Sequence, residues 1–236
     1  MSDIKWHSNW PKQDNADGKV TVIANDGTHF MCDDFFLFEK NEKLKNLRKK
    51  ADSGSVIEFD SADPLATPDN VHQLLTMEKT HRADLRDWYN LSPATLLGKL
   101  TSLVAFVQLI DFPESSYDDK RFYGRVSQRL SASLMVLLHG NYVPAGWVYA
   151  LIGALDDPAE AVKIWMHKLG NGDKKSEPLS VNDLPAVMIP FIHRKYIAIL
   201  LAYAQERQDP ETAFFTMLKE YDDIASKGSV LLRVHG

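Results

Sequence analysis

The stretch KVTVIANDGTHFMCD, Lys19 to Asp33, decides how the chain begins to fold. Val20, Val22 and Ala24 alternate with Thr21, Ile23 and Asn25, the period of a strand with one face turned inward. The run meets Asp26-Gly27, a pair suited to a tight turn because both residues tolerate positive φ. Thr28-His29-Phe30-Met31-Cys32 then supplies a second short apolar run, so the segment predicts a β-hairpin. Val56-Ile57-Glu58-Phe59, entered through Ser53-Gly54-Ser55, predicts a third strand in the same sheet.

Outward from these strands the pattern turns helical. Asp33 or Asp34 is placed to cap a helix running towards Lys50, with Phe35, Phe36, Phe38, Leu44 and Leu47 as its apolar residues. Lys43, Lys45, Arg48, Lys49 and Lys50 collect in its last turns, where cations suit the negative end of the helix dipole. They read as a solvated helix end rather than a nucleic-acid patch. Thr67-Pro68 opens a short helix carrying Val71, Leu74, Leu75 and Met77. His81 to Asn90 is charged and reads as a loop or short turn. Ser92-Pro93 then starts the clearest helix of the chain. Its stripe of Leu96, Leu100, Leu103, Val107 and Ile110 steps by four and three and predicts one buried face. A helix from about Asp118 to His139 follows, with Phe122, Val126, Leu130, Leu134 and Leu137, stopped by Gly140. Beyond Asn141 helix follows helix: Pro144 to Leu155, then one capped at Asp157-Pro158 with Ala161, Val162, Trp165 and Leu169 on one face. Others are expected from about Ser180 with a break at Pro190, and from Asp209-Pro210 to Lys227. Ser229 to Val234 reads as a last strand or a frayed tail.

Composition bounds the function. The chain has 236 residues, 44% hydrophobic and 25% charged, as in ordinary globular proteins. Its formal charge of -5 argues against a domain that lives on nucleic-acid backbone. One cysteine cannot form an internal disulfide or a multi-thiolate zinc site. The first dozen residues lack the apolar core of a secretory signal. The most apolar window, Leu184 to Ala204, carries His193, Arg194 and Lys195 at its middle, which argues against a membrane span. The expectation is a soluble intracellular protein, cytoplasmic or nuclear, binding neither nucleic acid nor membrane.

The order of strand, turn, strand, helix, strand, helix and a strong helix pair resembles the BTB/POZ superfamily, closest to its cullin-linker branch of elongin C and SKP-type adaptors. The likeness spans roughly Lys19 to Leu138. Val20 to Phe30 looks like the family's opening hairpin, with an aromatic in the second strand. Leu44-Lys45-Asn46-Leu47 looks like the end of its first helix, and Val56 to Phe59 falls where its third strand belongs. Val104-Ala105-Phe106-Val107-Gln108-Leu109-Ile110-Asp111-Phe112-Pro113 looks like the family's helix that ends in an alanine, a bulky pair and a break. Phe35-Phe36-Leu37-Phe38 is unusually aromatic for the first helix. The acidic loop of SKP-type adaptors is replaced by the mixed charges of His81 to Asn90.

The resemblance implies an α+β fold. A small BTB/POZ-like three-stranded sheet with helices over 19–140 follows an arm, 1–18, and precedes an all-helical region, 141–236. It also implies a non-enzymatic adaptor between proteins, either a ubiquitin-ligase linker bound to a cullin-type scaffold or a self-associating, homo-oligomeric scaffold. Two other readings stand beside it. One is a structural subunit of a larger assembly, such as a virus particle or capsid component. The other is a small enzyme with a site between the C-terminal helices.

Chemical motifs are sparse. His81-Arg82-Ala83-Asp84-Leu85 has one residue too many between arginine and aspartate for a kinase catalytic loop and lacks the accompanying motifs. Gly170-Asn171-Gly172-Asp173-Lys174-Lys175 follows a helix and runs into Pro178, so it reads as a connector rather than a phosphate loop. His29 and Cys32 beside Asp33 and Asp34 lack a second ligand pair for a metal. His139, His167 and His193 lie near helix ends or apolar faces without a placed nucleophile. Asp118-Asp119 and Asp156-Asp157 sit at helix starts, where capping accounts for them. No catalytic, cofactor-binding or metal-binding residue is assigned. Trp147 and Trp165 fall in helical stripes and read as core. Trp6 and Trp10, in the polar arm, are the candidate protein-binding residues, because tryptophan anchors many interfaces. Docking of the arm on its own domain is the alternative. If they bind a partner, Trp6→Ala with Trp10→Ala should weaken assembly and leave the melting temperature nearly unchanged.

Overall fold

The computed structural model describes residues 4–13, 18–33, 44, 48–51, 54–110, 126–170, 179–202 and 212–222. It forms two compact units, Met1–Ser133 and Leu134–Gly236. The division falls inside a helix, whereas the sequence places a boundary after it, at 140.

The first unit is built on a mixed sheet of order β2-β1-β4-β3. Strand β1 (Lys19–Ile23) pairs antiparallel with β2 (His29–Asp33), Val22 opposite Phe30. Gly27 takes φ 79° in the turn, and the Asp26 carboxylate accepts the Thr28 amide at 2.9 Å. The alternation of β1 holds: Val20 and Val22 are buried. Strand β4 (Gly54–Glu58) lies parallel to β1, Thr21 opposite Val56, so the expected third strand joins the hairpin's sheet.

A further strand, β3 (Arg48–Ala51), pairs antiparallel with β4, Ala51 opposite Gly54. This corrects the expectation of a helix reaching Lys50. Leu44 is helical and buried, but 48–51 runs alongside β4 as its antiparallel neighbour. The ladder there satisfies the backbone and overrides the local helical pattern. Asp33 belongs to β2, while Asp34, Phe35, Phe36 and Phe38 lie outside the described residues.

Helix α1 (Pro68–Thr80) is capped as expected, the Thr67 hydroxyl accepting the Asn70 amide at 3.3 Å. It closes at His81, whose φ of 60° lets its amide reach the Met77 carbonyl at 2.9 Å. Helix α2 (Pro93–Ile110) buries the whole expected stripe together with Val104 and Phe106. Among the described residues α2 is the one helix long and apolar enough to cross a membrane, which sequence reading overlooked. Its apolar face is buried in the unit's own core. Helix α3 (Val126–His139) buries Val126, Leu130, Leu134 and Leu137. The Phe122 turn and Asp118-Asp119 lie outside the described residues. Gly140 follows α3, but the left-handed residue is Asn141, φ 56°.

A polar lock ties these pieces of the first unit. The Arg129 guanidinium donates to Glu78 at 2.7 Å and to the Met77 carbonyl at 3.0 Å. Buried Gln73 exchanges two hydrogen bonds with the Asp84 backbone, at 2.6 and 2.8 Å. The Ser133 hydroxyl accepts the Ala83 amide at 2.9 Å. The loop after α1 is thus fixed, although its composition is charged.

The second unit is helical among its described residues. Helix α4 (Ala145–Ala154) is apolar all round and buries every residue from Val148 to Ala154. Helix α5 (Pro158–Gly170) starts with Asp157 accepting the Glu160 amide at 3.2 Å, so that carboxylate caps. Asp156 does not. It sits at φ 55° and binds Lys195 at 2.7 Å and the Tyr196 hydroxyl at 2.9 Å. The helix expected from Ser180 is instead two 3-10 turns, Val181–Asp183 and Ala186–Phe191. Helix α6 (Arg194–Ala202) starts only after them, because Pro185 and Pro190 interrupt α-helical bonding. Helix α7 spans 212–222, and Phe214 packs edge-on against buried Trp165 at 5.7 Å. Ser229 to Val234 lies outside the described residues. A Cβ added at Gly146 would come within 2.1 Å of the Asp183 carbonyl oxygen, so the first 3-10 turn rests directly on the α4 backbone.

Candidate functional site

The N-terminal arm is not free. Residues 4–13 lie along β2, Trp6 forming a parallel bridge with His29. The His29 amide donates to the Lys5 carbonyl at 2.8 Å, the His7 amide to the His29 carbonyl at 2.9 Å, and the Met31 amide to the Trp10 carbonyl at 3.1 Å. The arm therefore covers the sheet edge with main-chain bonds.

Side chains reinforce it. The His7 ring lies between Phe30 at 4.7 Å and His72 at 4.8 Å, nearly parallel to both. The Trp10 indole donates to His72 Nδ1 at 2.9 Å, and Lys79 Nζ stands 5.3 Å over its ring. Trp6 tilts against His29 at 5.4 Å. Lys5 bonds Asp26 at 2.8 Å. Burial alone would raise Asp26, but the bonds from Lys5 and Thr28 outweigh it and hold the carboxyl down to about 2.

Burial pushes both histidines towards the neutral form. For His72 it is the largest influence, reinforced by His7 and partly opposed by Asp84, Asp69 and Asp87. For His7 burial is again foremost, opposed by Asp69 and reinforced by Lys5.

Trp6 and Trp10 thus stand, half-buried, against their own domain. Their placement is that of the second reading of the arm, docking on its own domain. Its partners could not be seen locally, since β2 and α1 lie far along the chain. Trp6→Ala with Trp10→Ala should accordingly lower the stability of the first unit, by about 1–2 kcal/mol for part of two indoles and one hydrogen bond. Chemical denaturation measures it, and an unchanged midpoint would return the tryptophans to a partner-binding role.

The other singled-out residues do not assemble. Asp84 pairs with Arg86 at 2.6 Å, and that pairing holds its carboxyl below its usual range. His81 is a helix cap. His29 and Cys32 are three apart on one strand and so face opposite ways. The side chain of His167 and the connector 171–178 lie outside the described residues. Among the described residues no three His, Cys, Asp or Glu side chains gather to hold a metal ion.

His7 and His72 are the site residues that sequence reading missed. A signal existed: Asp69, His72, Thr76 and Lys79 step by three, four and three, which marks one polar face of α1. No family model matches the chain, and neither the curated proteins nor the solved structures give a match.

Proposed function

We propose that this chain is a non-enzymatic adaptor that joins proteins, as a cullin linker of a ubiquitin ligase or as a self-associating scaffold of BTB/POZ type. The observation that carries the reading is the order of elements in the first unit. Strand β1 lies between its hairpin partner β2 and the later strand β4 in one mixed sheet, and α1 and the long α2, with its apolar face buried, follow. The second unit adds a surface suited to a protein partner. Val187, Ile189 and Phe191 are exposed on the Ala186–Phe191 turn, and exposed apolar side chains of this size are candidates for burial against a partner.

The test is retention of the full chain by immobilised cullins, combined with light scattering of the chain alone. Capture by a cullin, or a concentration-dependent dimer, is the expected outcome. A chain that binds no cullin and remains monomeric sinks the proposal. Ordered particles in electron micrographs would favour the structural-subunit reading instead.

A further inference from the structure

The clasp that holds the arm has an acid-sensitive geometry. An indole N–H only donates, so His72 must offer a lone pair at Nδ1 to receive it at 2.9 Å. The ring's proton then sits on Nε2. Protonation at Nδ1 replaces the acceptor with a second donor and breaks the bond. It also places an imidazolium 4.8 Å from the His7 ring, itself confined between His72 and Phe30. Protonating both rings stacks two like charges.

We propose that residues 4–13 form a pH-gated strap, docked on β2 and α1 while His72 and His7 are neutral and released when they take up protons. The charged groups facing the pair come from three places. Asp69 and Lys79 lie on α1, Asp84 and Asp87 in the segment after it, and Lys5 on the arm itself. The three carboxylates temper the effect without cancelling it, because the net direction for both histidines remains downward. The sign follows. A released histidine titrates near its ordinary value of 6.5, a docked one lower. Docking is at full strength above 6.5 and weakens as pH falls through that value towards the docked one, because the released arm binds more protons. Release would free the His29 and Met31 amides along β2, which are edge groups able to pair with another extended chain. The inference does not depend on the adaptor reading.

Amide exchange of the full chain tests it by NMR, each rate divided by its intrinsic rate at the same pH. The His29 and Met31 amides report the strap, because their acceptors are the Lys5 and Trp10 carbonyls. The Phe59 amide, bonded to Ile23, reports the sheet. Between about pH 7.5 and about pH 5, protection at His29 and Met31 should fall several-fold relative to Phe59, because the released arm takes up more protons than the docked one. In His72→Asn an amide oxygen can accept the indole proton without titrating, so most of that dependence should disappear. Constant relative protection in the native chain, or an equal fall at Phe59, overturns the proposal. Should His72→Asn not fold, the ring nitrogen resonances of native His72 decide. A neutral Nε2–H tautomer titrating below 6.5 supports the strap, and titration at or above 6.5 overturns it.

Discussion

Leu103→Ala is expected to lower the stability of the first unit by about 2–5 kcal/mol, the range for emptying a fully packed leucine site. Leu103 has no exposed surface and sits mid-helix in α2 among Leu100, Val104, Phe106 and Val107, all buried. The Phe106 ring packs edge-on against Phe59 at 5.6 Å, which ties the helix to the end of β4 and limits how far the site can collapse. Urea denaturation measures the loss. A change within about 0.5 kcal/mol would mean that this stripe faces solvent.

Arg129→Met should be comparably severe, costing about 3 kcal/mol, because it leaves the Glu78 carboxylate in a poorly hydrated place without its guanidinium. The two side chains are 10% and 13% exposed, well below a surface pair. Arg129 also binds the Met77 carbonyl in the last turn of α1, where a cation meets the negative end of the helix dipole. Adding Glu78→Leu to Arg129→Met should recover part of the loss, since it removes the poorly hydrated carboxylate that Arg129 had paired. A double-mutant cycle by denaturation reads this coupling. A single-mutant loss under about 1 kcal/mol would class the contact with ordinary surface ion pairs.

What could be read from sequence and what could not divide along a physical line. The Asp26-Gly27 turn, the Thr67 cap and the α2 stripe are local: each is settled within a few residues, so the pattern and the structure agree. Arg48–Ala51 misled because its Lys and Arg residues suit a helix end, while its actual partner is β4. Val181–Asp183 and Ala186–Phe191 misled because apolar spacing says little about whether a proline-interrupted run closes as α or 3-10. The arm was the hardest. Trp10 and His72 are 62 positions apart, and the aromatic character of the arm signals burial without saying against what. The polar face of α1 held the missing half of that site, but a charged helical face ordinarily means solvent.

The close approach at Gly146 has a consequence for inherited variation. A glycine codon altered by one base change encodes Ala, Val, Ser, Arg, Cys, Asp, Glu or Trp when it still encodes a different residue, and each of these carries a Cβ. At Gly146 that atom would collide with the carbonyl of Asp183 rather than with a side chain able to swing aside. Every missense allele reachable in one step at this codon therefore meets the same obstacle, whatever the chemistry of its side chain. Related genes should keep glycine here, or else change the Val181–Asp183 turn along with it.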